Sequence, residues 1–153
     1  MKKVLVRSVY DAFDYVMDHY YPYGLKEMAE RSDRYAVISI QDTHTQGFGI
    51  RFTESSTCAE VLTLYFDDID HEVDGLQCFT EEQAEQIIAF VRRNRPVESL
   101  LIHCYGGESR SRAVGAFVME MLGGSSQRLF ATGHPNRHVY NTLKAVYSRS
   151  SGT

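Results

Sequence analysis

Short continuous apolar runs are spaced along the chain, separated by longer stretches of mixed polarity. Continuous runs of this kind are typical of strands in a parallel sheet, since both faces of such a strand are covered. The last run, SLLIHC, shows no alternation of polar and apolar residues, which indicates a central strand. Strands are therefore predicted at residues 4–9, 35–42, 60–66 and 99–104.

Apolar residues recur every three or four positions between these runs, which predicts amphipathic helices. A capping box of Thr80 and Gln83 marks the start of one helix, and RRNRP at 92–96 ends it. Residues 110–122 are apolar nearly all round, so this helix is expected to be buried. Two further helices are predicted, at residues 9–20 and at residues 134–148 with Pro135 near the start.

Strands that alternate with helices predict an α/β fold, with a central, mainly parallel sheet flanked by helices. A chain of 153 residues is long enough for one domain with a proper core, so we expect a single domain over residues 1–153. Segment 43–57 is polar and contains glycine, which is typical of a surface loop with room for a short hairpin. An acidic loop, residues 67–75, follows the third strand.

Composition and charge narrow the class of protein. The net charge of −4 and the absence of a lysine or arginine run argue against nucleic-acid binding. No run approaches the roughly 18 apolar residues of a membrane span, and the early Arg7 and Asp11 argue against a signal peptide. Three cysteines without a CxxC pair argue against a disulfide framework or structural zinc, and favour a reducing, cytoplasmic location.

The most informative segment is HCYGGESRS, residues 103–111, between the last strand and the buried helix. Ligands of open α/β sheets bind beyond the carboxyl ends of strands, and a helix N-terminus adds free N–H groups and a partial positive charge. Adjacent glycines let the loop curl so that successive N–H groups point inward. The loop is therefore predicted to form a cup for phosphate or sulfate. Its residues are Tyr105, Gly106, Gly107, Glu108, Ser109 and Arg110.

Two side chains give this cup its chemistry. Cys104 lies at its floor, where the positive field favours the nucleophilic thiolate. Arg110 carries a planar guanidinium that can bind two phosphoryl oxygens. A cysteine at a strand end is by itself usually a small buried apolar residue. The combination of strand, glycine loop, nucleophile and guanidinium is what favours a catalytic site.

Segment 103–111 resembles the HCxxGxxRS active-site loop of the cysteine-dependent protein tyrosine phosphatases, and the chain length is similar to the compact dual-specificity branch. The resemblance implies a phosphomonoester hydrolase that acts through a cysteinyl phosphate, without metal or cofactor. The implied substrates are phosphotyrosine proteins or small aryl phosphates, with phosphoserine and phosphothreonine included for a dual-specificity enzyme. The matching positions are His103, Cys104, Gly107, Arg110 and Ser111.

The resemblance also implies a general acid, an aspartate on a loop thirty-odd residues before the cysteine. The acidic loop offers Asp67, Asp68, Asp70 and Asp74. FDDI, residues 66–69, is similar to a segment of small bacterial and phage-type members in which the aspartate before the isoleucine is the acid. This similarity favours Asp68, with Asp70 as the alternative. The HPN…L segment, residues 134–143, is similar to the same members.

Supporting roles follow from the same resemblance. His103 would orient the loop through backbone hydrogen bonds, and the Ser111 hydroxyl would point at the Cys104 sulfur. Two residues depart from the family pattern. Glu108 places a carboxylate in a loop suited to an anion, so its side chain is expected to point outward. Arg112 either adds positive charge to the surface or pairs with Glu108.

Alternatives remain open for the substrate and for the reaction class. Tyr105, Tyr23 and Phe48 are candidates for stacking on a phosphotyrosine ring, and the lack of lysine in the loop argues against inositol lipids. Cys58 and Cys78 are expected to be bystanders. We expect neither a nucleic-acid nor a membrane partner, and the oligomeric state stays open. A phosphopeptide-binding module without turnover and a rhodanese-like sulfurtransferase are the rival hypotheses.

Overall fold

The computed structural model describes residues 1–20, 33–43 and 50–151, and in this part of the chain it contains a four-stranded, fully parallel sheet. The order across the sheet is β1-β4-β2-β3. Each strand lies within two residues of its predicted bounds, and the predicted α/β class is confirmed. The strands are β1 (Lys3–Ser8), β2 (Tyr35–Gln41), β3 (Cys58–Tyr65) and β4 (Ser99–Cys104).

Five helices accompany the sheet within the described ranges. They are α1 (Val9–Tyr20), α2 (Glu81–Arg93), α3 (Arg110–Met121), α4 (Gln127–Ala131) and α5 (Arg137–Ser151). The capping box predicted for the start of α2 is confirmed, since Thr80 and Gln83 exchange side chain–backbone hydrogen bonds. The short α4 has no counterpart in the predictions. None of the helices in the described ranges is both long and apolar enough to cross a membrane.

The last helix starts three residues later than predicted, at Arg137. The reason is the residue before it: Asn136 accepts a hydrogen bond from the Val139 N–H at its Oδ1, at 3.1 Å, as an N-cap side chain does. Pro135 therefore precedes the helix and is not part of its first turn. This cap becomes important at the functional site.

The central strands divide the core between two faces of the sheet. All residues of β2 and β4 are buried, as the continuous apolar runs predicted. Ile38 and Ile102 pack with apolar residues of α2, α3 and α5, whereas Val37 and Leu101 pack with those of α1. The sheet is thus covered on both faces, and its carboxyl edge, where β4 leads into α3, is where a site can form.

Helix α3 lies close against β1 because of one glycine. A Cβ atom on Gly115 would come within 2.4 Å of Val6 Cγ2, so no larger residue fits without movement. The residues Ala113, Val114, Ala116, Phe117 and Val118 are buried, which confirms the expectation of a buried helix. This packing fixes the N-terminus of α3 beside the end of β4.

Candidate active site

The loop from Tyr105 to Ser109 links β4 to α3 at the carboxyl end of the sheet. Because β4 is central, the loop lies between the ends of β1 and β2. Ser8, the last residue of β1, is the register partner of Cys104. The Val9 N–H donates to the Tyr105 carbonyl at 3.1 Å, which ties the start of α1 to the loop.

Cys104 is 3% exposed, and its sulfur is in contact with two hydrogen-bonding groups. The Gly107 N–H donates to Sγ at 3.2 Å, and the Ser111 Oγ lies 3.1 Å from the same sulfur. A thiolate has no proton to give, so both groups act as donors once the sulfur is ionised. The N-terminus of α3 adds a partial positive charge at the same place. Two hydrogen-bonding groups and the start of a helix therefore converge on this one sulfur.

Gly107 is the position where the loop needs glycine. Its φ of +74° is a conformation that other residues adopt at a cost. A Cβ atom here would lie 2.6 Å from the carbonyl carbon of Arg7 and from the nitrogen of Ser8. Gly106, in contrast, has no atom within 4 Å of an added Cβ. The two adjacent glycines therefore differ. Gly107 is needed because a side chain there would collide with the backbone of β1, whereas a side chain at Gly106 would extend into open space.

Arg110 is 5% exposed, and its side chain is bound by the residues that directly follow β2 and β3. Its Nη1 donates to Asp42 Oδ1 at 2.5 Å and to the Phe66 carbonyl at 2.9 Å. Its Nε is buried and has no hydrogen-bond partner within the described ranges. With Nη1 anchored, the Nε–H of the planar guanidinium is left as a hydrogen-bond donor without a partner among the described residues.

Asp42 is a residue of the candidate site to which the sequence analysis gives no role. It was assigned only as the end of the second strand, but it forms the ion pair with Arg110. A signal was present, since a carboxylate directly after a buried parallel strand must lie at the carboxyl edge of the sheet. What the sequence could not show is that this carboxylate meets the arginine.

His103 lies in a buried chain of hydrogen bonds behind the loop. Its Nδ1 donates to the Cys104 carbonyl at 3.2 Å, and its Nε2 lies 2.7 Å from Ser39 Oγ. Because the proton of the neutral ring is on Nδ1, Nε2 accepts from the Ser39 hydroxyl, and Gln41 Nε2 donates to the same Ser39 oxygen at 2.8 Å. Burial lowers the pKa of His103 to about 4, with a further lowering by the charge of Arg110. The imidazole is therefore neutral at neutral pH and supports the loop backbone.

We expect His103 to make the fold sensitive to mild acid. Below about pH 6.5 the unfolded chain binds this proton, whereas the folded chain does so only near its pKa of about 4. Stability therefore falls as the pH decreases through this window, by about 2 kcal/mol from pH 7 to pH 5. Urea unfolding of the protein and of His103→Gln at both pH values measures it. The variant should be less stable at pH 7, and the difference should shrink at pH 5; parallel pH curves would contradict the assignment.

Asp68 is the acidic-loop residue that touches the cup. Its Oδ1 accepts hydrogen bonds from Ser109 Oγ at 2.8 Å and from Asn136 Nδ2 at 2.9 Å. The carboxylate is exposed, and both of its hydrogen bonds to described residues are made at Oδ1, none at Oδ2. Because Ser109 directly precedes Arg110, this contact places a carboxylate at the rim of the cup.

The alternative acids are arranged differently. Asp67 is buried and accepts hydrogen bonds from Thr43 and Gln77, so it ties the segments after β2 and β3 together. Asp70 is exposed and lies 2.6 Å from His71 Nδ1, and this hydrogen bond lowers the pKa of Asp70. The partner of Asp70 is thus another residue of the acidic loop, whereas Asp68 contacts Ser109 of the loop that follows β4. The geometry therefore favours Asp68 over Asp70.

The two departures from the family pattern lie outside the cup. The Glu108 side chain is exposed, and its carbonyl accepts the His134 N–H at 3.1 Å. Arg112 donates to the Leu129 carbonyl and to Thr132 Oγ1. The suggested pairing of Arg112 with Glu108 is therefore wrong. Arg112 instead binds the segment that leads from α4 to α5, because that segment packs against the start of α3.

Of the aromatic residues considered for stacking on a substrate ring, only Tyr105 lies in the described part of the chain. Tyr105 is 54% exposed, with its ring 6.3 Å from that of Tyr10 in an edge-on arrangement. Tyr23 and Phe48 lie outside the described residues. Cys58 opens β3, at the amino end of the sheet and far from the loop, and burial raises its pKa to about 11. Such a thiol is unreactive.

Solved structures share this architecture. PTPMT1, determined in complex with PI(5)P, matches with a TM-score of 0.55 at 14% identity, over 97% of this chain and 94% of its own. Human tyrosine phosphatase-like serine/threonine/tyrosine-interacting protein matches with a TM-score of 0.51 at 18% identity, over 92% and 90%. Neither a protein-family model nor a curated protein sequence matches the chain. The chain has the fold of the cysteine-dependent protein tyrosine and dual-specificity phosphatases.

Proposed function

We propose that the protein is a phosphomonoester hydrolase, a protein tyrosine or dual-specificity phosphatase whose catalytic domain spans residues 1–153. The observation that carries the proposal is the arrangement around one sulfur. Cys104 Sγ lies within hydrogen-bond distance of the Gly107 N–H and of Ser111 Oγ, and the buried Nε of Arg110 is unpaired among the described residues. A nucleophile and donors for an oxyanion are what phosphoryl transfer needs.

In the first half-reaction, the Cys104 thiolate attacks phosphorus and the bond from phosphorus to the ester oxygen breaks. Asp68 gives its proton to the departing oxygen, so the alcohol or phenol leaves neutral. Arg110 and the loop N–H groups bind the equatorial oxygens through the change. The product is a cysteinyl phosphate.

In the second half-reaction, a water attacks the same phosphorus and the phosphorus–sulfur bond breaks. The Asp68 carboxylate takes the proton of the water and is ready for the next cycle. The Ser111 hydroxyl, 3.1 Å from Sγ, stabilises the departing thiolate. Inorganic phosphate is released.

Phosphotyrosine is the substrate class that the site favours. Cys104 is almost fully buried, so a long aryl ester reaches it more easily than a short alkyl one, and the exposed Tyr105 can contact the ring. A protein of this fold has been solved with PI(5)P bound, so the fold does not exclude lipids. Here the loop has no lysine, and the exposed carboxylates of Asp68 and Glu108 disfavour a polyanionic headgroup.

The test is hydrolysis of 4-nitrophenyl phosphate by the purified protein in EDTA, with and without vanadate. We expect turnover that EDTA leaves intact and vanadate blocks, and a phosphate on Cys104 after an acid quench, located by mass spectrometry. A protein that releases no phosphate from aryl phosphates or phosphotyrosyl peptides is not this enzyme. A persulfide on Cys104 would instead indicate a sulfurtransferase.

A phosphopeptide-binding module is the second candidate. One protein of this fold is named a phosphatase-like interacting protein, so the fold alone does not require turnover. The present chain keeps the cysteine, the arginine and a carboxylate at the rim, which supports the enzyme. The module predicts tight binding of a phosphotyrosyl peptide without a burst of released phosphate.

A further inference from the structure

We infer that Asn136 is a positioning residue, which holds Asp68 against the phosphate loop and selects the oxygen that carries the catalytic proton. The inference rests on the proposed function and deepens it. Asn136 is 8% exposed and lies outside the HCxxGxxRS segment, just before α5. Its side-chain amide donates to Asp68 Oδ1 at 2.9 Å and to the Ile69 carbonyl at 3.1 Å. Both of its N–H bonds are thus directed at the acid segment.

The backbone of the same residue binds the loop. The Asn136 N–H donates to the Ser109 carbonyl at 3.1 Å, and two residues earlier the His134 N–H donates to the Glu108 carbonyl at 3.1 Å. Segment 134–136 therefore lies against residues 108 and 109 of the loop. Asn136 connects three parts of the fold: the loop, the acid segment and the start of α5.

The orientation of the amide follows from its contacts. The side-chain oxygen accepts the Val139 N–H, so the amide nitrogen must be the atom that faces Asp68. A reversed amide would place N–H against N–H at the helix start and oxygen against oxygen at the carboxylate. The helix cap thus fixes the direction in which Asn136 donates.

The two hydrogen bonds to one oxygen of the Asp68 carboxylate determine which oxygen can carry a proton. Asp68 Oδ1 accepts from both Asn136 Nδ2 and Ser109 Oγ, and Oδ2 has no hydrogen bond to any described residue. A proton on the carboxyl group is therefore carried by Oδ2, since Oδ1 already faces two N–H or O–H groups. Misplacement of such a group by about 1 Å costs on the order of 10²-fold in rate.

The test uses substrates that differ in their need for a proton. Phenyl phosphate has a poor leaving group, whereas 2,4-dinitrophenyl phosphate loses its phenolate without protonation. In Asn136→Ser, serine still caps the helix but lacks the N–H donors, so the cap is kept while the contacts with Asp68 and Ile69 are lost. We expect kcat for phenyl phosphate to fall by about 10- to 100-fold, and kcat for the dinitrophenyl ester to fall less than about threefold.

A double-mutant cycle separates positioning from general disturbance of the loop. In an Asp68→Ala background, Asn136→Ser should cause no further loss on phenyl phosphate, because the acid is already absent. Asn136→Asp, which keeps the cap but places a carboxylate beside Asp68, provides a second variant and should show the same selective loss. The wild-type protein assayed in parallel shows whether the proposed function itself holds.

The outcomes are distinct. Equal losses on both esters, no loss on either, or additive losses in the cycle would each overturn the role of Asn136 while leaving the phosphatase intact. A wild-type protein without activity on either ester would overturn the proposed function, and the role of Asn136 with it.

Discussion

Serine in place of Cys104 is expected to lower kcat for aryl phosphate hydrolysis by at least about 10⁴-fold. The hydroxyl of serine is a far weaker acid than a thiol, so the loop donors cannot hold it as an anion at neutral pH. Those donors remain, since the Gly107 N–H and the Arg110 guanidinium do not depend on the sulfur. The variant should therefore still bind phosphate or a phosphotyrosyl peptide, with a Kd close to that of the wild type.

Steady-state kinetics and isothermal titration of the same samples measure the two effects. Cys78→Ser is the matched control. Cys78 is a partly exposed cysteine just after the acidic loop, and it makes no hydrogen bond with Cys104 among the described residues. It should keep activity near that of the wild type. Turnover by Cys104→Ser at a rate close to the wild type would rule out the cysteinyl phosphate.

Alanine at Gly107 is expected to cost at least about 10²-fold in kcat/KM and about 1–3 kcal/mol in the free energy of unfolding. The reason is purely geometric. The position has a φ of +74°, and an added Cβ would lie 2.6 Å from backbone atoms of Arg7 and Ser8. Backbone cannot rotate out of the way, so the loop itself must move, and with it the N–H that donates to Cys104.

Gly106→Ala is the matched control for this prediction. The neighbouring glycine has nothing within 4 Å of an added Cβ, and alanine keeps its backbone N–H. Its effect on kcat/KM should be less than about tenfold. Kinetics and urea unfolding of the two variants side by side provide the measurement; similar losses in both would mean that the contact with β1 does not set the loop conformation.

The loop itself could be predicted because its parts are close in sequence. The hydrogen bond from Gly107 to the sulfur joins residues three apart, and the contact of Ser111 with the sulfur joins residues seven apart. A strand, a glycine turn and a helix start leave few ways to arrange so short a segment. The expected position of Cys104 at the end of the strand follows from this local geometry, whereas that of Glu108 on the outside follows from the repulsion between its carboxylate and an anion.

Contacts between distant segments could not be predicted in the same way. The ion pair of Arg110 with Asp42 and the hydrogen bond of Asn136 to Asp68 each join residues 68 apart. Nothing in the spacing of these residues marks them as neighbours. The late start of α5 has the same origin, since Asn136 caps the helix while it donates to the acid segment.

From the residues alone followed the four strands, four of the five helices in the described ranges, the parallel sheet, the cysteine at a strand end and the loop that follows it. These features depend on the period of apolar residues and on conformations within a few residues. The tertiary structure was needed to show that Asp68, which the resemblance already favoured, contacts Ser109 and Asn136, and that Asp42 pairs with the arginine. The physical reason is that a parallel sheet brings the carboxyl ends of separate strands to one edge, where only packing decides which side chains meet.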